Sequence, residues 1–156
     1  MMHLGINTLG VVMRKLYLGL VLWLSLASLG FVPTALAAVS AKDAREVQLV
    51  VRAQLDAFAS DDAERAFALA APSIQQMFGT PDQFMQMVRT GYAVVYRPAS
   101  VTFLTPKPAD KVIVQPVHMT DGRGGSWLAM YRVQKQKDKS WRIAGCVLVA
   151  NSGQAI

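Results

Sequence analysis

The sequence predicts an α+β domain in which three helices pack on a curved four-stranded antiparallel sheet. Between Ser40 and Gly91, apolar residues recur at helical spacing behind residues that cap helices. From Ser100 onward the texture changes to β-branched and aromatic runs split by turn chemistry. Helices first and a strand meander afterwards give helices segregated to one face of an antiparallel sheet.

A leader comes before this domain. Leu16 to Val32 is an uncharged apolar run of seventeen residues, directly behind Arg14 and Lys15. Pro33 ends it, and Ala35-Leu36-Ala37 sets small residues in front of Ala38, as a signal-peptide cleavage site requires. Residues 1–37 therefore read as a signal peptide, with Met13 a candidate start, and the protein is expected in a periplasm or outside the cell. The rival is an uncleaved anchor, since the run reaches the lower edge of a membrane-spanning length. The proline and the A-x-A site favour cleavage, and the membrane then concerns the chain only if this segment is kept.

Residues 38–156 form a single domain, long enough for a core without covalent staples. The full chain carries a net charge of +6, and Arg14 and Lys15 belong to the leader. The remaining basic residues are scattered, dense only in the turn RVQKQKDK, which excludes a nucleic-acid-binding stripe. One cysteine, Cys146, excludes an intrachain disulfide and any multi-cysteine metal site.

The first helix spans Ser40 to Ala59. Ser40 and Asp43 resemble a capping box, and Ala44, Val47, Val51, Leu55 and Phe58 share a face. Asp61 to Ala71 forms the second, with Asp61 as cap and Ala63, Phe67 and Ala70 as a narrow stripe. Pro72 ends that helix or begins a short one through Ile74, Met77 and Phe78, closed by Gly79. Thr80-Pro81-Asp82-Gln83 starts the next: a cap residue, proline at the first helical position, and a glutamine that reaches back. Phe84, Met87 and Val88 form its buried face, and Gly91 is expected to end it in the left-handed conformation.

Four strands follow: VTFLT, KVIVQPVHM, SWLAMYRV and SWRIAGCVLVA, separated by PKPAD, TDGRGG and QKQKDK. Pro116 predicts a bulge or an edge position in the second run. In the last run alternation places Trp141, Ile143, Val147 and Val149 on one face and Ala144, Cys146 and Leu148 on the other. Both faces are apolar, so the strand is covered on both sides or carries part of a subunit interface.

The segments AQLDAFASDDAERAFALAAPSI, MFGTPDQFMQMVRTGYAVVYRP and SWRIAGCVLV resemble an uncharacterised bacterial family, domain of unknown function 4864. The likeness covers about Val47 to Val149. Three helices before a sheet that ends in a W-R-I strand also resembles the nuclear-transport-factor-2-like, or cystatin-like, cone folds. That resemblance implies an architecture shared by isomerases, dehydratases, binding modules and dimerisation modules, and chooses none of them.

The residues themselves offer little chemistry. His118 is the sole candidate acid or base in the domain, and Asp56 points away from the face that Val51, Leu55 and Phe58 define. Met85-Gln86-Met87 has a spacing that soft copper sites use, but residues two apart on a helix face different ways, so no metal or other cofactor is expected. Cys146 reads as a small buried hydrophobe, and Gly122-Arg123-Gly124-Gly125 joins two strands, as no phosphate loop does. Gly91 to Pro98 has no clean period. Its Tyr92, Tyr96 and Arg97, with Trp127 and Tyr131 from the sheet, are the candidate rim of an apolar pocket for a small apolar or anionic ligand. The alternative is that these rings plug the core while Arg97 pairs with a carboxylate.

The expectation is thus a non-catalytic exported module that binds a small ligand or a partner, with a homodimer through the sheet as one form. A cone-fold isomerase or dehydratase acting on a small organic substrate is the alternative.

Overall fold

The computed structural model describes residues 38–150. Five helices come first: α1 (Ala41–Ala59), α2 (Ala63–Ala68), α3 (Pro72–Phe78), α4 (Pro81–Gly91) and α5 (Ala93–Tyr96). Five strands follow: β1 (Ser100–Phe103), β2 (Lys107–Ala109), β3 (Val112–Thr120), β4 (Ser126–Lys135) and β5 (Trp141–Ala150). They form one open antiparallel sheet in the order β1-β3-β4-β5, with β2 also paired to β3. The fold is α+β as expected, and the described residues hold five helices where three were expected and five strands where four were. The leader proposed for residues 1–37 lies outside the described residues.

Local signals set the helix starts. The Ser40 hydroxyl accepts the Asp43 N–H at 3.0 Å, and that of Thr80 accepts the Gln83 N–H at 3.3 Å, each satisfying a donor the helix leaves orphaned. At α2 the cap moves one residue on. Asp62 accepts the Arg65 N–H at 3.0 Å, and Asp61 turns the chain at φ 57°. Asp61 is freed because its carboxylate is used elsewhere in the fold. The α2 helix also ends early, since the Leu69 carbonyl and the Ala71 N–H bond to Ile143 of β5 at 2.9 and 2.8 Å. Gly79 takes φ 73° after α3, a conformation that costs glycine little. Gly91 instead stays inside α4, and the chain leaves through Tyr92 at φ −134°, because another helical turn, α5, begins at once.

The core lies between α1 and the inner sheet face. Val47, Val51 and Phe58 of α1 are buried with Val117 and Met119 of β3 and Ala129 and Val133 of β4. Each valine or phenylalanine so buried stabilises the fold by roughly 1.5–3 kcal/mol. Phe84 of α4 joins Phe58, Phe67 and Phe78 at ring separations of 6.1, 5.7 and 5.6 Å, which fastens the smaller helices to α1.

Pro116 has a different effect from the one expected. It sits in β3, between two neighbours, without a bulge in its own strand. Its carbonyl accepts the Leu104 N–H at 3.0 Å, so its missing N–H faces the same neighbour. The Leu104 carbonyl accepts instead from the Gln115 side-chain amide at 2.6 Å. The disturbance is thus passed to the neighbour, which is broken into β1 and β2. Within PKPAD, Lys107–Ala109 pairs with β3 as β2, which leaves Asp110 and Lys111 for the turn.

The face assignment in β5 also needs correction. Arg132 pairs with Gly145 and Val133 with Ile143, so Ala144 is an extra residue in a β-bulge. The bulge inverts the alternation beyond it. Trp141, Ile143, Cys146 and Leu148 face the core, whereas Val147 and Val149 lie on the outer face, 57% and 50% exposed.

Candidate functional site

A pocket of about 220 Å³ opens between α1, α3, α4 and the β4–β5 part of the sheet. Sequence and topology together explain why it is there. The Leu69–Ala71 connection is tied to β5 at Ile143, just before the bulge, and α3 then carries Ile74, Met77 and Phe78 away from the strand. The space left is walled by Phe58, Phe84 and Val88 and floored by Tyr131 and Cys146. Met77, 72% exposed, stands at its mouth.

The polar groups in this apolar setting are few. Gln54 is buried on α1 and lines the pocket, its amide N–H held by the Ala66 carbonyl at 3.1 Å. The Tyr92 hydroxyl donates to the Cys146 carbonyl at 3.2 Å. Tyr131 differs. It is 1% exposed, and among the described residues its hydroxyl has no oxygen or nitrogen partner, only the Cys146 thiol as a neighbour. Burial, and then the neighbouring Cys146 thiol, push the phenol well above its ordinary pKa, so it stays a neutral donor. The thiol lies close enough to serve the phenol as a weak hydrogen-bond partner. Cys146 is itself pushed up to about 12 by burial, which keeps it protonated and unreactive.

Buried polar groups are almost always paired, because an unpaired hydroxyl costs about 1–3 kcal/mol. Tyr131 is also the register partner of Gln115 on β3 and of Cys146 on β5. Gln115 carries the other orphan, a side-chain carbonyl oxygen without a donor. Polar residues thus run in a row across the inner sheet face.

The residues proposed from sequence separate into four places. Tyr92 and Tyr131 line the pocket. Tyr96 and Arg97 are not among its lining residues; they form a surface cluster with Asp61 and Arg89. There the Asp61 carboxylate accepts from the Tyr96 hydroxyl, from Arg89 at 2.9 Å and from Arg97 at 2.8 Å. Arg97 also donates to the Ala59 carbonyl, which covers the C-terminal end of α1. The hydrogen bond from Tyr96, then those and the charges of the two arginines, hold the Asp61 carboxyl below its ordinary pKa. The cluster therefore joins α1, α4 and α5.

Trp127 is bound to the turn before β4. Its indole N–H donates to Asp121 at 3.1 Å, and the other oxygen of that carboxylate accepts the Arg123 and Gly125 N–H groups at 2.9 and 2.8 Å. A Cβ on Gly125 would stand 2.4 Å from the Asp121 carboxylate, so this turn needs glycine there. His118 projects from the outer sheet face, opposite the pocket, where its ring is 2.8 Å from the Ser126 hydroxyl. Among the described residues, no group of three or more His, Cys, Asp or Glu side chains is placed to hold a metal ion. Nor is any helix among them long and apolar enough to cross a membrane.

Sequence reasoning had missed Gln54, Phe58, Phe84 and Met87 as pocket residues. One signal was legible. Gln54 interrupts the apolar face of α1 between Val51 and Phe58, where a polar residue needs a reason.

No curated protein and no solved structure matches this chain. The model of the family described as Domain of unknown function (DUF4864) matches residues 40–156, and the chain belongs to that family.

Proposed function

We propose that this protein is an exported, non-catalytic domain that holds a small apolar ligand in the pocket between the helices and β5. The observation that carries this reading is the pocket itself, a hollow of about 220 Å³ lined almost wholly by apolar side chains. An engineered cavity of roughly 150 Å³ already takes up benzene, so this one has room for a substituted ring. Helices packed on one face of an antiparallel sheet, with the hollow between the layers, are also consistent with a cone-type fold. The enzyme reading would require His118 beside an acid in that hollow, and His118 lies on the opposite sheet face.

The test is a thermal-shift and calorimetry screen of small aromatic and short-chain apolar compounds on the wild type and on Ile74→Trp, which fills the pocket. Binding to the wild type that the variant abolishes supports the reading; compounds that bind both equally, or neither, defeat it. N-terminal sequencing of the protein recovered after export checks the leader. A start at Ala38 is expected, and a start upstream of Leu16 would make the segment an anchor.

The outer sheet face supports a second reading, a homodimer. Register places Val149 beside Leu128 and Val147 beside Met130, an apolar patch that no helix among the described residues covers. Light scattering on the eluted protein decides it, and Val147→Lys should dissociate such a dimer.

A further inference from the structure

The fold sorts the methionines of this domain by exposure. Met85 of α4 and Met119 of β3 are sealed in the core, while Met87 and Met130 are partly buried. Met77 differs from all four among the described residues. It is 72% exposed and yet lines the pocket, so it stands where the hollow meets water. Its place follows from α3. Ile74 and Phe78, four residues apart on one helix face, pack against the core. The Gln75 amide ties the helix down by donating to the Phe67 and Ala70 carbonyls at 3.0 and 3.1 Å. Met77 precedes Phe78 and falls beside that face, at the rim. The backbone there is anchored, and what can still adapt is an unbranched thioether with three rotatable bonds.

We propose that Met77 is an oxidation site, and that its conversion to the sulfoxide by a peroxide lowers the affinity of the pocket for apolar ligands. This rests on the pocket-binding reading above and goes beyond it by giving the pocket a control. The Met77 sulfur attacks one oxygen of hydrogen peroxide; the O–O bond breaks, an S=O bond forms, and the second oxygen leaves as water. Sulfur gives up two electrons and the peroxide takes them, so the step needs no other reactant. An exposed thioether meets the oxidant without any opening of the fold, whereas Met85 and Met119 must wait for one. The product is a polar side chain in place of an apolar one. Its neighbours in the lining, Ile74, Phe78 and Met87, carry no hydrogen-bond donor on their side chains, so the new oxygen keeps to water and the mouth becomes wet. An apolar ligand then loses part of its apolar wall. Methionine sulfoxide reductases return the thioether, which makes the change reversible.

The test treats the protein, as the cell processes it, with dilute hydrogen peroxide and follows each methionine by peptide mass spectrometry. Calorimetry with ethylbenzene as probe is run before and after. Met77 is expected to gain one oxygen more than about tenfold faster than Met85 and Met119. The affinity for ethylbenzene should then fall about fivefold, the worth of burying part of one methionine side chain, and recover after treatment with a methionine sulfoxide reductase. In Met77→Leu, which has no sulfur at this position, peroxide should leave the affinity where it began, whatever that value is. Oxidation of Met77 no faster than that of the buried pair overturns the proposal, as does an equal loss of affinity in the variant. Ethylbenzene that binds alike before and after Met77 is oxidised sinks this inference and leaves the pocket reading standing. Ethylbenzene that does not bind the untreated protein defeats the pocket reading, and the effect claimed for Met77 with it.

Discussion

Replacing Tyr131 by phenylalanine removes one fully buried oxygen atom and leaves the ring in place. The ring is buried in one cluster with Val117, Ala129 and Val133, and among the described residues the hydroxyl meets only the Cys146 thiol, with no oxygen or nitrogen partner. Folding the wild type therefore strips a hydroxyl of water and returns little, against a full penalty of about 1–3 kcal/mol. The neighbouring Cys146 thiol recovers a little of this, as sulfur is a weak partner, so the lower half of that range applies. Tyr131→Phe should stabilise the ligand-free domain by about 1–2 kcal/mol, or roughly 4–8 °C in Tm for a domain of this size. Urea titration checks it: the midpoint should rise while the slope stays constant, since the surface exposed on unfolding is unchanged. A variant less stable than wild type would show that the hydroxyl is well satisfied in solution and would refute the reasoning.

Asp61→Ala should loosen α4 and α5 from the end of α1, seen as a lower Tm at pH 7. Because the Asp61 carboxyl is held below its ordinary pKa in the fold, its contribution is complete above about pH 4 and fades as pH falls through the folded value. The gap between wild type and variant should therefore narrow at pH 2, and a constant gap would refute the role. Gly125→Ala drives a Cβ to 2.4 Å from the Asp121 carboxylate and breaks the turn that holds Trp127. A loss of roughly 1–3 kcal/mol is expected, with a shift in tryptophan emission, and an unperturbed spectrum would count against it. A thiol raised from 9.0 to about 12 has about a thousandfold less thiolate, so Cys146 should label far more slowly in the native protein at pH 8 than in urea. Equal rates would mean that the strand is open.

Much of this protein is written locally in its residues. Ser40 and Thr80 announce two helices, because a cap hydroxyl and the N–H it accepts lie three residues apart. Pro81 at a first helical turn and the runs from Ser100 to Ala150 need only backbone sterics and side-chain shape to be read. What could not be read depends on contacts distant in sequence. Pro116 broke the strand beside it because Leu104 needed another donor, and Gln115 supplied one. The extra residue at Ala144 exchanged the faces of Val147 and Cys146, since one inserted residue inverts a period of two. Asp61 looked like a helix cap until Arg89, Tyr96 and Arg97 arrived from a later part of the chain.

By itself, then, the sequence determined the α+β class, the order of helices before strands, and the poverty of reactive side chains. These follow from periodicity, caps and composition, which act within a few residues of each other. Only the tertiary structure decided that Tyr131 and Tyr92 line a hollow while Arg97 is bound to Asp61 outside that lining. A cavity belongs to no segment: it is the space left where α1, α3, α4 and β5 fail to meet.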